Sequence, residues 1–145
     1  MYIVDEMVTV NVEWKDKMHF EGKSSAGHTA VMDTIPEVGG EDKGAAPMEI
    51  LLMALGGCTG MDVVSILRKM HTHFDHFEIE IKGEKMKEHP RVYKEIELIY
   101  KFKGEGIKEE NVEKAVKLSQ EKYCSVSAML GVKKTYRIEI KKPME

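Results

Sequence analysis

Val8, Val10, Val12 and Trp14 fall on one side of an alternating run, with Thr9, Asn11 and Glu13 on the other. A period of two predicts a half-buried strand over 7–14. Lys15 and Asp16 then read as a turn into a second strand over 18–22, and a third is expected near 28–33. The three predict a small antiparallel meander. From 34 to 46 the periodicity stops at Pro36, Gly39, Gly40, Gly44 and the charged triplet Glu41, Asp42, Lys43. A connection that long is either a functional lid or a solvated linker, and the pattern leaves both open.

Pro47 suits the first turn of a helix and Glu49 its positive end, so a helix is expected from there to about Met70. It is apolar on most faces and is therefore expected at the centre of the molecule. Strand-like alternation returns over 74–82 and 91–102, joined by a polar connection over 83–90. Val112, Ala115, Val116 and Leu118 have helical spacing within 109–122. A short helix after Cys124 and a last strand over 134–140 complete the order. This is an α+β pattern of antiparallel sheet and a long buried central helix, in one domain over 1–145. The strands available are few for so apolar a helix, which predicts a homodimer whose sheets wrap both central helices.

Composition narrows the function. The chain has 145 residues, 42% of them hydrophobic, and a net charge of -3 with both signs interspersed. Nothing in that balance points to nucleic acid. The segment over 45–67 resembles a membrane span in length, but Glu49, Asp62 and three glycines interrupt it, so a core helix and no membrane partner are expected. The first residues carry no basic, cleavable leader, and two cysteines are too few for a disulfide scaffold. A reducing cytoplasm is the expected compartment.

Those two cysteines carry the candidate chemistry. Cys58 lies in the apolar helix among Gly56, Gly57 and Gly60, which are expected to leave the helix surface open beside the sulfur. Cys124 lies where one element ends and a short helix begins. A thiolate attacks the O–O bond of a peroxide to give a sulfenic acid, and a second thiol condenses with it to a disulfide. Free cysteine is also a common packing residue, and spacing alone cannot show that these two meet. His71, His73 and His76 cluster at the helix exit, but their spacing matches no zinc signature, so no metal and no cofactor are expected.

The stretch GAAPMEILLMALGGCTGMDVV over 44–64, the GGEDKG loop over 39–44 and the Cys-x-Val at Cys124 together resemble the osmotically inducible protein C family (OsmC/Ohr). The resemblance implies an intertwined α+β homodimer with sites at the subunit interface. It implies a thiol-dependent peroxidase for organic hydroperoxides, with Cys58 peroxidatic, Cys124 resolving and Glu49 in the site. It further implies a dithiol reductant, in one branch a lipoylated protein. The chain departs from the peroxidase branches in two respects. Its three arginines, Arg68, Arg91 and Arg137, all follow Cys58, leaving Lys15 or Lys17 as imperfect substitutes. Glu49 precedes Cys58 by nine residues, one fewer than in the peroxidase pattern, a rotation of about 100° on a helix. These departures keep a second function in view: a non-enzymatic dimer of the same family that binds a small apolar molecule and whose cysteines only pack.

Overall fold

The computed structural model describes residues 7–144. They form two compact units, one ending at Leu51 and the other beginning at Leu52.

The first unit contains β1 (Asn11–Asp16), β2 (His19–Lys23) and β3 (Thr29–Met32), paired antiparallel in the order β1-β2-β3. The ladder begins at Asn11 rather than at Met7. Asn11 already faces Lys23, where β2 ends, and the chain then turns back through Ser24 to Gly27. Val8 to Val10 therefore precede the ladder of this unit. The hairpin turn falls at Lys17 and Met18, two residues later than the sequence predicts, with Lys17 at φ 46°. Trp14 Nε1 donates to the Lys17 carbonyl at 2.8 Å and fixes that turn.

The loop after β3 is organised by a buried carboxylate. Asp33 is 2% exposed and accepts backbone N–H groups from Thr34 (2.7 Å), Lys43 (3.1 Å) and Glu41 (3.4 Å). The loop is thus neither a free linker nor an extended strap; it is folded around one side chain. Gly40 is required there, because a Cβ would meet the Thr34 carbonyl oxygen at 2.0 Å. Burial pushes the Asp33 carboxyl upward, but the N–H bonds from Thr34, Lys43 and Glu41, with His19 nearby, outweigh it and hold it below its usual value. A depressed carboxylate adds stability above its unfolded pKa of about 3.9 and loses it as pH falls through the folded value. Amide exchange should therefore show Glu41 and Lys43 protected at neutral pH and released as pH falls through the lowered Asp33 value, and unprotected throughout in Asp33→Ala. Equal protection in both proteins at neutral pH would refute this role for Asp33.

The helix α1 (Pro47–Lys69) begins and ends close to the expected positions. Its N-terminus is capped by Glu49, whose Oε1 accepts the Ala46 N–H at 3.0 Å. From Leu52 onward, the second unit adds β4 (His76–Lys85), β5 (Tyr93–Lys103), α2 (Glu109–Leu118), α3 (Ser125–Met129) and β6 (Lys133–Lys141). β4 and β5 pair antiparallel, and β6 returns parallel to β5 after the helical crossover. The register places Phe77 opposite Phe102, Ile79 opposite Tyr100 and Ile81 opposite Leu98, all on one face. That face receives α1: a Cβ on Gly56 would lie 2.7 Å from Ile81, and one on Gly60 would lie 3.5 Å from Ile79. The other face carries ion pairs between Lys101 and Glu80 (2.9 Å) and between Arg137 and Glu97 (3.0 Å). Leu55, Thr59, Val63 and Leu67 form the buried stripe of α1 at every fourth position.

Only this stripe is fully buried. Met53 is 60% and Met61 76% exposed, so within one chain α1 is covered on one side and not all round. By length and composition it could cross a membrane, with a mean hydropathy of 1.9 in its most apolar window. The hydrogen-bonded Thr59 and Asp62 and the packing on the sheet match a core helix instead.

Candidate functional site

The two cysteines are neighbours. Cys58 on α1 and Cys124, the N-cap of α3, are both free thiols, brought near each other where Thr59, next to Cys58, bonds to Ser119, the first residue of the turn that leads into Cys124. The 65 residues between them in sequence include β4, β5 and α2, which return the chain to α1. The last step is a local irregularity. Instead of continuing to Lys122 as an α-helix, α2 passes at Ser119 into a single π-turn, Ser119–Tyr123. The Cys124 N–H bonds to the Ser119 carbonyl, five residues back, at 2.7 Å. The extra residue in that turn aims Cys124 inward; π-turns are often found where a side chain must be re-aimed at a functional site.

The thiols differ in environment. Cys124 is 4% exposed and accepts the Ser127 N–H at 3.4 Å. Burial pushes its thiol up to about 11; the Ser127 N–H opposes this, while Cys58 and the negative charge of Asp62 add to it. Cys124 is therefore a neutral thiol at neutral pH. Cys58 is only partly buried. The three neighbouring glycines are not equivalent. Gly56 and Gly60 are closed by Ile81 and Ile79, whereas a Cβ on Gly57 would meet nothing within 4 Å. The open surface beside Cys58 is thus at Gly57.

A buried polar network surrounds the pair. Thr59 Oγ1 is 2.8 Å from the Tyr100 hydroxyl and 2.7 Å from Ser119 Oγ. Ser119 Oγ donates to Asp62 Oδ2 at 2.8 Å, and Gln120 Nε2 donates to the Tyr100 hydroxyl at 2.7 Å. Ser127 Oγ donates to Gln120 Oε1 at 3.0 Å. Burial raises the Tyr100 hydroxyl above its usual value, against its hydrogen bonds with Thr59 and Gln120. These contacts join α1, β5, the π-turn and α3, the elements that hold the two sulfurs. Sequence reasoning missed all of these groups. Thr59 and Asp62 left a usable signal: they are polar residues one and four places after Cys58 on an otherwise apolar helix. Ser119, Gln120 and Ser127 left none, because a one-residue π insertion does not alter composition or periodicity enough to be seen.

The remaining candidates are placed elsewhere. Glu49 is exposed at the start of α1, where its carboxylate caps the helix. Lys15 pairs with Glu13, and Lys17 lies 3.6 Å from Glu41. Arg137 is engaged by Glu97 and Glu139. His71 and His73 line a cavity of about 140 Å³ with Thr72, Glu105, Lys108 and Asn111, while His76 opens β4. Among the described residues no three His, Cys, Asp or Glu side chains converge as a metal site.

The fold and the paired thiols define a class: an α+β protein in which a long helix presents a cysteine to a second cysteine at a helix junction. The chain belongs to the OsmC-like protein family, whose model matches residues 40–141. It is 41% identical to protein YhfA of Escherichia coli K12 over 119 residues, which cover 82% of this chain and 86% of YhfA. A crystal structure of a hypothetical protein from Aquifex aeolicus is 36% identical, covers 94% of this chain and 98% of that one, and superposes with a TM-score of 0.77. An organic hydroperoxide resistance protein from Legionella pneumophila has a TM-score of 0.68 over 96% of this chain and 99% of its own, at 11% identity. At that identity the likeness is one of fold.

Proposed function

We propose that this protein is a cysteine-based hydroperoxide reductase. The observation that carries the reading is that Thr59, next to Cys58, bonds to Ser119, the start of the turn that delivers Cys124, so the two free thiols are neighbours. Cys58, half-buried beside the open surface at Gly57, is the attacking sulfur. It takes the distal oxygen of an organic hydroperoxide and becomes a sulfenic acid, while the alkoxide leaves and is protonated to the alcohol. Cys124, a neutral thiol beside it, condenses with the sulfenic acid, and water leaves. An external dithiol, possessing two thiols that can attack in succession, returns both cysteines to the reduced state. A lipoylated protein has that chemistry. A reducing cytoplasm is a compartment in which such a dithiol is kept reduced. Structural relatives named organic hydroperoxide resistance proteins support the substrate class.

The test is stoichiometric. One equivalent of an alkyl hydroperoxide should remove two thiols per chain, and peptide mapping should recover the 58–124 bridge. An unchanged thiol count would refute the reading. The position of every arginine after Cys58 favours the second reading, a dimer that binds a small apolar molecule with cysteines that only pack. That reading predicts no thiol loss and no peroxide consumption with any dithiol.

The working unit is a homodimer. Val12 (58% exposed), Trp14 (60%), Met53 and Met61 are apolar side chains that one chain leaves in water. A second copy would cover the open sides of α1 and of β1, burying about 2,000 Å² or more, as obligate dimers do. Light scattering at micromolar concentration should give twice the chain mass; a stable monomer would rule the dimer out.

A further inference from the structure

One side chain is tied to both halves of the site. Gln120 lies in the π-turn that leads into Cys124. At one end of its amide, Nε2 donates to the Tyr100 hydroxyl at 2.7 Å and to Thr59 Oγ1 at 3.3 Å. Thr59 is the residue after Cys58 on α1. At the other end, Oε1 accepts the Ser127 hydroxyl proton at 3.0 Å. Ser127 is the residue whose backbone N–H meets the Cys124 sulfur, at 3.4 Å.

The sense of these bonds is fixed from the far end of the network. The Ser119 hydroxyl donates to Asp62, so it accepts from Thr59. Thr59, its one proton committed, accepts from Tyr100. Tyr100, having donated, accepts from Gln120. The Gln120 amide is therefore held with its nitrogen towards Tyr100 and Thr59 and its oxygen towards Ser127. A flipped amide would set its oxygen against a hydroxyl whose proton points elsewhere. A network polarised in one sense strengthens each of its bonds.

Cys124 is the N-cap of α3, so the atom that caps this helix is also the atom that must react. The Ser127 N–H aims the sulfur, and the bond from the Ser127 hydroxyl to Gln120 holds that residue in place. Resting on the reading of Cys58 and Cys124 as a redox pair, we propose that Gln120 is a positioning residue: its amide reaches from the neighbour of Cys58 to the residue that holds Cys124, and it sets the Cys124 sulfur for closure onto the oxidised Cys58 sulfur.

In that closure the S–S bond forms as the Cys58 S–O bond breaks. The departing hydroxide leaves as water with the proton from Cys124. The hydroperoxide that made the sulfenic acid is the oxidant, and no other is needed. Gln120 makes and breaks none of these bonds. It acts on the alignment of the two sulfurs, where a misplacement of about 1 Å costs about a hundredfold in rate.

The step can be isolated without any peroxide. Dithiobisnitrobenzoate converts Cys58 to a mixed disulfide and releases one coloured thiolate; attack by Cys124 releases the second. The first phase reads access to Cys58 and the second reads closure. Ser127→Ala and Gln120→Leu should each slow the second phase about tenfold or more and leave the first as in wild type. Ser127→Thr, which keeps the hydroxyl, should recover most of the closure rate. The double variant should close no more slowly than the slower single one, because both changes remove the same bond.

A wild-type closure rate in either single variant, equal slowing of both phases, a Ser127→Thr protein as slow as Ser127→Ala, or losses that multiply in the double variant would overturn the proposal. So would a wild-type protein that releases only one thiolate. If Gln120→Leu does not fold, Ser127→Ala and Ser127→Thr decide, since they test the same bond from its other end. If alkyl hydroperoxide leaves the thiols untouched while the variants slow closure, the peroxidase reading falls and the positioning role stands. If hydroperoxide forms the 58–124 bridge and the variants close normally, the reverse holds.

Discussion

Cys58→Ser should bring hydroperoxide consumption down to the uncatalysed rate, a loss of about 10³-fold or more, as when an enzyme loses its nucleophile. Serine keeps the size of the side chain but not the polarisable, readily ionised sulfur that attacks an O–O bond. Cys124→Ser should behave differently. Its Cys58 remains partly exposed beside Gly57, so one attack should still occur. The product should be a sulfenic acid at Cys58 that a sulfenate-specific probe captures, with turnover stopping there. The two variants thus separate attack from closure. Stopped-flow measurement with an alkyl hydroperoxide reads the first, and probe labelling the second. Equal consumption by wild type and Cys58→Ser would end the peroxidase reading in favour of the binding dimer.

The fold was legible where strong local signals agreed. Pro47, the apolar run and the closing Arg68 and Lys69 mark both ends of α1 in the sequence. The alternating runs around Ile79 and Leu98 locate β4 and β5, whose inner face pairs Ile81 with Leu98 and Ile79 with Tyr100. Errors arose where partners rather than propensity decide. Val8 and Val10 alternate as well as Val12 and Trp14 do, but β2 ends at Lys23, already opposite Asn11. The turn at Lys17 adopts a positive φ without the glycine or asparagine that normally signals one. The apolarity of α1 foretold burial on all sides, whereas one chain supplies cover only for the stripe from Leu55 to Leu67.

The site was legible in its sulfurs and not in their surroundings. The small residues around Cys58 and the helix start after Cys124 singled out both thiols, and their meeting depends on a tertiary path that spacing cannot encode. Asp62 enters the sequence reading only as a charge arguing against a membrane span, although its place four residues after Cys58 on an apolar helix was a signal. Its importance comes from Ser119, 57 residues away, and from a π-turn that periodicity does not reveal. Asp33 was equally silent. An aspartate at the end of a strand gives no sign that it will gather three backbone N–H groups from the following loop.

The same tertiary path makes the site sensitive to the core behind it, and Phe102→Ala should show this most strongly among single truncations. Phe102 is 1% exposed on β5. Its ring stacks on Phe77 with centroids 4.3 Å apart and meets Phe74 edge-on at 5.5 Å. Removing it forfeits the transfer free energy of a buried aromatic side chain and leaves a cavity bounded by two rings on stiff backbone. Such truncations cost roughly 3–5 kcal/mol, against a total stability of about 5–15 kcal/mol for a typical domain. The effect should extend to function, because Tyr100 lies two residues earlier on the same face and anchors Thr59 beside Cys58. Urea denaturation should show a midpoint lowered by that cost with the slope retained, and Phe102→Leu should recover most of it by refilling the volume. A midpoint within experimental error of wild type for Phe102→Ala would show that this aromatic cluster does not hold the sheet against α1.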